Sequence, residues 1–423
     1  MDYRESLAYL YGLQRFGIKL GLDNIRGLLQ RLDHPEQGYA IVHVGGSNGK
    51  GSVSAALARI LQEAGLRVGL YTSPHLHSFT ERIQVNGRPV AEGETAALID
   101  RLRSLSQGIP ATFFEFTTAM ALLFFKQRQV DVAVLEVGMG GRLDATNVVL
   151  PRVSVITPVC RDHAEHLGPD LAAIAAEKGG IIKAGTPLVI GRQDPAALAV
   201  LERQARDLAA PVFLYGQDFS VTEAADCFDY AGLDLNLTGL HQGLPGKHQQ
   251  QNMALALAAA ELLCRQGWEI PETALRRGVE QVRWPGRLEW WAGEREILLD
   301  GAHNEGGATV LADYLCSLTV TGIRWVVGAK AQKEIGGILN PLLPLVCALY
   351  ATEPPVDTPL ASDEIVRLAG RAGIPARSYA SPAAALAAAL ADRRPGEIVL
   401  VAGSLFLVAA AREFLLNQET ARA

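Results

Sequence analysis

Ten consecutive residues, His43-Val44-Gly45-Gly46-Ser47-Asn48-Gly49-Lys50-Gly51-Ser52, carry the densest chemical signal in the chain. Backbone N–H groups approach an oxyanion closely only where side chains are missing, and Gly45, Gly46, Gly49 and Gly51 provide that. Lys50 would neutralise the outer phosphates of a nucleotide, and Ser52 would offer its hydroxyl to Mg²⁺. Gly46, Ser47, Asn48, Gly49, Lys50, Gly51 and Ser52 are therefore the candidate cofactor contacts. Two features depart from the ordinary P-loop pattern: Val44 stands five residues before Gly49, and Gly51 separates lysine from hydroxyl. The alternative is a glycine-rich turn with a solvated lysine.

A second group is Glu136, set in the apolar run Val132-Ala133-Val134-Leu135-Glu136-Val137. A carboxylate there is costly to desolvate unless it meets a cation or accepts hydrogen bonds. Beside a phosphate loop that cation would be Mg²⁺; a structural ion pair is the alternative. Polar clusters also follow two other apolar runs, Thr72-Ser73-Pro74-His75 and Asp300-Gly301-Ala302-His303-Asn304. Ligands of open parallel sheets gather at such carboxyl ends. Asp300 and His303 would meet the nucleotide or the transferred phosphate, with Asn304 as a cap of the next helix.

The elements that must position these groups are legible from periodicity. Tyr39-Ala40-Ile41-Val42 reads as a buried strand, and Val53 to Ala64 as a helix ending at Gly65, giving strand, glycine loop, helix. Further strands are predicted at 66–71, 130–137, 153–157 and 187–190, a hairpin at Asn86-Gly87, helices at 6–16, 22–32, 91–106, 117–126, 171–182 and 195–208, and an antiparallel flap over 211–240. Trp284-Pro285-Gly286-Arg287 is the predicted domain boundary, giving an ATP-binding domain over 1–284 and a second domain over 285–423. Past it, strands at 297–299, 323–327, 345–351 and 398–401 alternate with helices. The expected fold class is α/β: a P-loop-type, mostly parallel sheet with a small antiparallel flap, then a Rossmann-like doubly wound domain.

Composition sets the outer limits. The chain has 423 residues, 49% apolar and 20% charged, with a formal charge of −6. That length fits two or three domains, and the acidic balance excludes a nucleic-acid footprint. No run of eighteen apolar residues and no basic-then-apolar start occurs, so a cytoplasmic monomer without membrane contact is the expectation. Cys160, Cys227, Cys264, Cys316 and Cys347 show no Cys-x-x-Cys spacing and read as reduced core residues.

The spacing Gly46-Ser47-Asn48-Gly49-Lys50-Gly51-Ser52 resembles the ATP loop of the Mur ligase superfamily, and within it that of the folylpolyglutamate synthases. The usual threonine is Ser47 here, and a hydroxyl is kept. Tyr71-Thr72-Ser73-Pro74-His75 with Glu81-Arg82-Ile83 is similar to that family's second motif, and Glu136-Val137-Gly138-Met139-Gly140-Gly141-Arg142-Leu143-Asp144-Ala145-Thr146-Asn147 is nearly its signature.

The resemblance implies several roles. Ser73 would be a magnesium-site residue, although its own sequence also suits a turn cap before Pro74. Asp144 would contact a pterin ring, and Phe114 or Phe116 could stack on one. His163, in Arg161-Asp162-His163-Ala164-Glu165-His166, would bind a second Mg²⁺. Lys178 in that family is often carbamylated and serves the second metal; a solvated lysine is the alternative. Gly179 would loosen its helix. Gln249 and Asn252 would face the adenine end, Arg287 the ATP phosphates, and Ser404, in Gly403-Ser404-Leu405, the substrate.

The chemistry implied is an ATP-driven ligase, most like the bifunctional dihydrofolate and folylpolyglutamate synthases. It would join L-glutamate to dihydropteroate and to the γ-carboxyl of reduced folates through an acyl phosphate, with Lys50, Glu136, His163, Lys178 and His303 as the catalytic set. Folylpolyglutamate synthesis alone, and a Mur-type ligase acting on a nucleotide-sugar acid, are the alternatives. Closure of the two domains is expected to exclude water.

Overall fold

The computed structural model describes residues 2–16, 21–162, 167–223, 227–291 and 296–422. Two compact units emerge: Met1–Gly243 with Gln249–Arg283, and Leu244–His248 with Trp284–Ala423.

The first unit is built on eight strands, β1 (Ala40–Gly45), β2 (Val68–Tyr71), β3 (Ile83–Val85), β4 (Arg88–Pro89), β5 (Val132–Glu136), β6 (Val153–Ile156), β7 (Leu188–Ile190) and β8 (Val212–Leu214). Their order is β4-β3-β2-β5-β1-β6-β7-β8. From β2 to β8 neighbours run parallel; β3 and β4 turn back as the hairpin expected at Asn86-Gly87. β1, β2, β5, β6 and β7 are almost wholly buried and mostly apolar because helices cover both faces of a parallel sheet. β1 lies between β5 and β6, with Val44 opposite both Glu136 and Val155. The chain leaves β1 toward one side and later crosses to the other, so the carboxyl end of β1 is the topological switch point where a ligand crevice forms.

Two expectations need correction. The helix expected from Thr117 begins at Phe113, because Thr112 and Glu115 form a capping box: the Thr112 side chain accepts from Glu115 N, and Glu115 Oε2 accepts from Thr112 N at 2.8 Å. The helix over Leu171–Gly179 stops three residues early, and Gly179 faces a neighbouring helix. A Cβ there would meet the end of the Gln204 side chain on the helix Pro195–Asp207, which would have to move aside.

The flap splits between two sheets. β8 joins the parallel sheet through Leu188 opposite Val212, whereas β9 (Ser220–Glu223), β10 (Phe228–Ala231) and β11 (Asn236–Leu240) form a separate three-stranded antiparallel sheet. One buried carboxylate pins this sheet to the helix Lys247–Cys264. Glu261 accepts the N–H groups of Leu233, Asp234 and Leu235 at 2.7–3.1 Å and the hydroxyl of Tyr230 at 2.6 Å.

The second unit is a six-stranded sheet, β12 (Glu289–Trp290), β13 (Ile297–Asp300), β14 (Gly322–Val327), β15 (Ala348–Thr352), β16 (Ala376–Tyr379) and β17 (Glu397–Ala402), in the order β12-β13-β17-β14-β15-β16. All pairs are parallel except β12 with β13, as a doubly wound sheet requires. The sequence left out β12 and β16, each short and only partly buried. The cysteines are not core residues: Cys316 and Cys347 are exposed, the other three half-buried, and all five are free thiols. Among the described residues no helix is long and apolar enough to cross a membrane.

Replacing Glu261 with alanine leaves the buried Tyr230 hydroxyl and three part-buried amides without their acceptor, at a cost of about 3 kcal/mol. Urea denaturation of Glu261→Ala is expected to show that loss. A change within 0.5 kcal/mol, the ordinary range of surface substitutions, would contradict the anchoring role of this carboxylate.

Candidate active site

The phosphate loop leaves β1 at Gly45, and its helix, Lys50–Glu63, starts at the lysine itself. The first amides of a helix have no acceptor within it, so those of Lys50, Gly51 and Ser52 are presented at the positive end of the helix dipole. Ser47 and Asn48 contribute differently from expectation. Their N–H groups both donate to Pro158 O, at 3.0 and 3.3 Å. The Ser47 hydroxyl donates to Cys160 O and accepts from Cys160 N, each at 3.1 Å. This explains why a hydroxyl is kept at position 47: it docks the loop onto the segment after β6. Gly46 sits at φ +129, and a Cβ there would strike Thr157 Oγ1. Only glycine suits this turn.

Both lysines that the sequence singled out meet at the loop. Lys50 Nζ lies 3.2 Å from Gly46 O and 3.1 Å from Ser47 O, while Lys178 Nζ lies 2.8 Å from Gly46 O. Lys178 is 4% exposed, which excludes the solvated reading. Burial, and then the charge on Lys50, push its amine down from 10.5 to about 7.

Glu136, 5% exposed, ends β5 beside the loop, and its Oε2 accepts the Ser73 N–H at 3.0 Å. Ser73 also lines a cavity of about 600 Å³. Phe113, Phe114, Arg82, Asp144 and the loop Gly138–Gly141 form its other walls. Phe114 packs against Gly138, with its ring 6.0 Å from that of Tyr71. Phe116 is in the core, 1% exposed, so of the two aromatic candidates only Phe114 reaches the cavity.

Asp144 lines the cavity with both oxygens engaged. Oδ1 accepts from Thr146 N and Thr146 Oγ1, and Oδ2 from Met139 N at 2.9 Å. Burial raises its pKa, and these hydrogen bonds oppose the rise. Its observed action is to fold the glycine loop onto the cavity.

Gln249 and Asn252 lie one helical turn apart and are joined by a 2.9 Å hydrogen bond. Asn252 rests on Gly49, which puts the pair at the phosphate loop. His163 lies outside the described residues.

The second unit has its own polar cluster. Asp300 ends β13, accepting Leu288 N at 2.9 Å and Ala302 N at 2.8 Å, with Arg287 near enough to oppose the rise in its pKa from burial. His303 Nδ1 lies 2.8 Å from Gly301 O. Asn304 caps the helix Glu305–Cys316 through Gly307 N, as expected. Ser404 follows β17, where its hydroxyl accepts Phe406 N at 3.2 Å. Gly403 N donates to Ala302 O, so these loops are neighbours.

Sequence reasoning assigned no role to Arg82 or Phe113. Arg82 is 8% exposed, donates from Nε to His75 Nδ1 at 2.7 Å and lies 5.3 Å over the Phe113 ring. Burial and the neighbouring guanidinium hold His75 down at about 4. The arginine stood in a quoted motif, but nothing in its spacing said that it turns inward. Phe113 was hidden by the misplaced start of its helix.

Two family models match the chain: the Mur ligase middle domain over residues 44–260, and the Mur ligase glutamate ligase domain over residues 286–405. A folylpolyglutamate synthase of Lacticaseibacillus casei is 37% identical, covering 99% of each chain. A dihydrofolate synthase/folylpolyglutamate synthase of Escherichia coli is 35% identical over 97% of this chain and 94% of its own length. Among solved structures, E. coli FolC in complex with DHPP and ADP superposes with a TM-score of 0.92 at 32% identity, covering 99% of both chains. The bifunctional enzyme of Yersinia pestis complexed with AMPPNP and Mn ion gives 0.90 at 32% identity and 98% coverage of both.

The depressed amine of Lys178 fixes the sign of a pH effect. Unfolded, the amine stays protonated to about pH 10; folded, it loses its proton near 7, so between these values the unfolded chain binds more protons and stability rises with pH. In bicarbonate-free, CO₂-depleted buffer, where the amine is free, wild type is therefore expected to gain stability relative to Lys178→Met as pH rises from 7 to 10 in parallel denaturation series. Parallel curves would contradict the buried position of the amine.

Proposed function

The chain belongs to the folylpolyglutamate synthase family of Mur-type, ATP-dependent acid–amino-acid ligases, and we propose that it adds L-glutamate both to dihydropteroate, forming dihydrofolate, and to the γ-carboxyl of reduced folates. One observation carries this reading. Ser73 belongs to the cavity and Glu136 to the end of β5 beside the phosphate loop, and the hydrogen bond between them makes acid site and nucleotide site adjacent. The complex of the E. coli relative with DHPP and ADP supports the same pair of ligands here.

The acid would lie in the cavity with its ring along Phe114 and the Gly138–Gly141 wall that Asp144 shapes. Its carboxylate must approach the triphosphate. Two unit charges about 4 Å apart repel by roughly 4 kcal/mol at an effective dielectric near 20. Lys50 offsets that repulsion, and the helix amides of Lys50, Gly51 and Ser52 hold the phosphates in line.

A carboxylate oxygen attacks the γ-phosphorus, the bond to the β-phosphate oxygen breaks, and ADP leaves. The α-amine of L-glutamate then attacks the acyl carbon, forming the amide and expelling inorganic phosphate. Arg287, Asp300, His303 and Ser404 of the second unit are the groups we assign to the nucleotide phosphates and the incoming glutamate; Gln249 and Asn252 support the loop.

The residues suit Mg²⁺. Ser52, Ser73 and Glu136 are hard oxygen donors, and no cluster of three or more His, Cys, Asp or Glu occurs among the described residues. This matches an ion that takes one or two protein oxygens and completes its shell with phosphate and water. When bound, it would screen the triphosphate charge. His163 is assigned to a second ion. Lys178, further along the chain, is buried with an amine that is partly neutral at pH 7, the form that reacts with CO₂, and we assign it as a carbamate. Enzyme equilibrated with ¹³C-labelled bicarbonate is expected to show a carbamate carbon resonance that Lys178→Arg lacks.

The reading is tested by ADP release with dihydropteroate, tetrahydrofolate and a nucleotide-linked muramoyl acid, each with and without L-glutamate. Turnover is expected with the first two acids only, and only when glutamate is present. Tetrahydrofolate alone would restrict the chain to polyglutamylation, and the muramoyl acid alone would overturn the folate assignment. Lys50→Ala is expected to lower turnover at least 1,000-fold with either acid, about 4 kcal/mol of transition-state stabilisation.

A further inference from the structure

A buried chain of polar groups runs from β1 to the cavity wall, and the chemistry above leaves it unused. His43, in the middle of β1, and Thr146, in the short turn Ala145–Val148, are both fully buried. His43 Nε2 lies 2.8 Å from Thr146 Oγ1, and Thr146 Oγ1 lies 2.5 Å from Asp144 Oδ1. Asp144 then holds Met139 N through its other oxygen.

The directions of these bonds follow from counting hydrogens. Asp144 accepts the backbone N–H groups of Met139, Thr146 and Gly138, so it is an acceptor carboxylate and Thr146 must give it the single hydroxyl hydrogen. The bond between His43 and Thr146 therefore takes its hydrogen from Nε2. That leaves Nδ1 bare, and it is buried without a hydrogen-bond partner. Burial and the charge of Lys183 hold the imidazole at about 3, so it stays neutral. An apolar residue would fill this strand position without orphaning a nitrogen, as Ile41, Val42 and Val44 do on either side.

We propose that His43 is a positioning residue for the acid cavity: through Thr146 and Asp144 it fixes the Gly138–Met139 wall in register with the strand that carries the phosphate loop. The nucleotide end of β1 and the acid wall are thereby held by one rigid tie. This rests on the cavity being the acid site, and the experiment separates the two.

Binding of dihydropteroate and of ADP is measured by calorimetry for wild type, His43→Leu, His43→Gln, Thr146→Val, Thr146→Ser and the double variant His43→Leu/Thr146→Val. Dihydropteroate is expected to bind about tenfold more weakly to His43→Leu and to Thr146→Val, with ADP affinity within twofold of wild type. Thr146→Ser, which keeps the hydroxyl, and His43→Gln, which keeps an N–H donor, are expected to recover most of the loss. The double variant is expected to be no weaker than the poorer single one, because the three groups act in series. Equal losses for both ligands, or additive losses in the double variant, would overturn the proposal.

Amide hydrogen exchange at Met139, measured on the free protein, reads the tie without a substrate. It is expected to quicken in His43→Leu and Thr146→Val but not in Thr146→Ser; unchanged exchange would overturn the proposal. If wild type binds neither dihydropteroate nor tetrahydrofolate while Met139 responds this way, the substrate assignment fails and the tie stands.

Discussion

Two lysine amines share one carbonyl oxygen. Lys50 and Lys178 both reach Gly46 O, and the second does so from a position almost closed to water. Burial first, and then the charge of Lys50, push the Lys178 amine down to about 7. Closed off from water beside a second lysine, the Lys178 amine is held partly neutral at pH 7, and the surrounding geometry keeps both amines at the loop. Gly46 takes a conformation open only to glycine, Ser47 locks the loop onto Cys160, and Asn252 closes over Gly49.

The parallel sheet converts this local arrangement into a site for two substrates. β1 delivers the phosphate loop and β5 delivers Glu136; β2 leads into Ser73, and the bond between Ser73 and Glu136 joins their carboxyl ends. Ser73 lines the cavity, so the cavity adjoins the same carboxyl ends as the phosphate loop. Placing both substrates at the switch point of one sheet is cheaper in entropy than bringing them from separate loops.

The sequence disclosed the parts that local rules control. Mostly apolar runs located β1, β2, β5, β6 and β7, and glycine spacing located the phosphate loop, because a missing side chain is itself the functional feature. What stayed hidden depends on tertiary packing. Arg82 could have faced water as easily as the cavity. Ser47 has the right hydroxyl for a nucleotide contact, yet its partner is a backbone 113 residues away. Gly179 looked like a weak point in a helix, and what it faces is Gln204 of the neighbouring helix. Asp144, read as a ligand contact, lines the cavity and also holds its own loop, which no spacing reveals.

The account stands on a single covalent event, transfer of a phosphoryl group to the acid before nitrogen arrives. Dihydropteroate carrying ¹⁸O in both carboxylate oxygens, turned over with ATP and L-glutamate, measures it directly by mass spectrometry of the phosphate released. One labelled oxygen per phosphate, with the other retained in the new amide, is expected. Unlabelled phosphate from labelled acid would contradict the account.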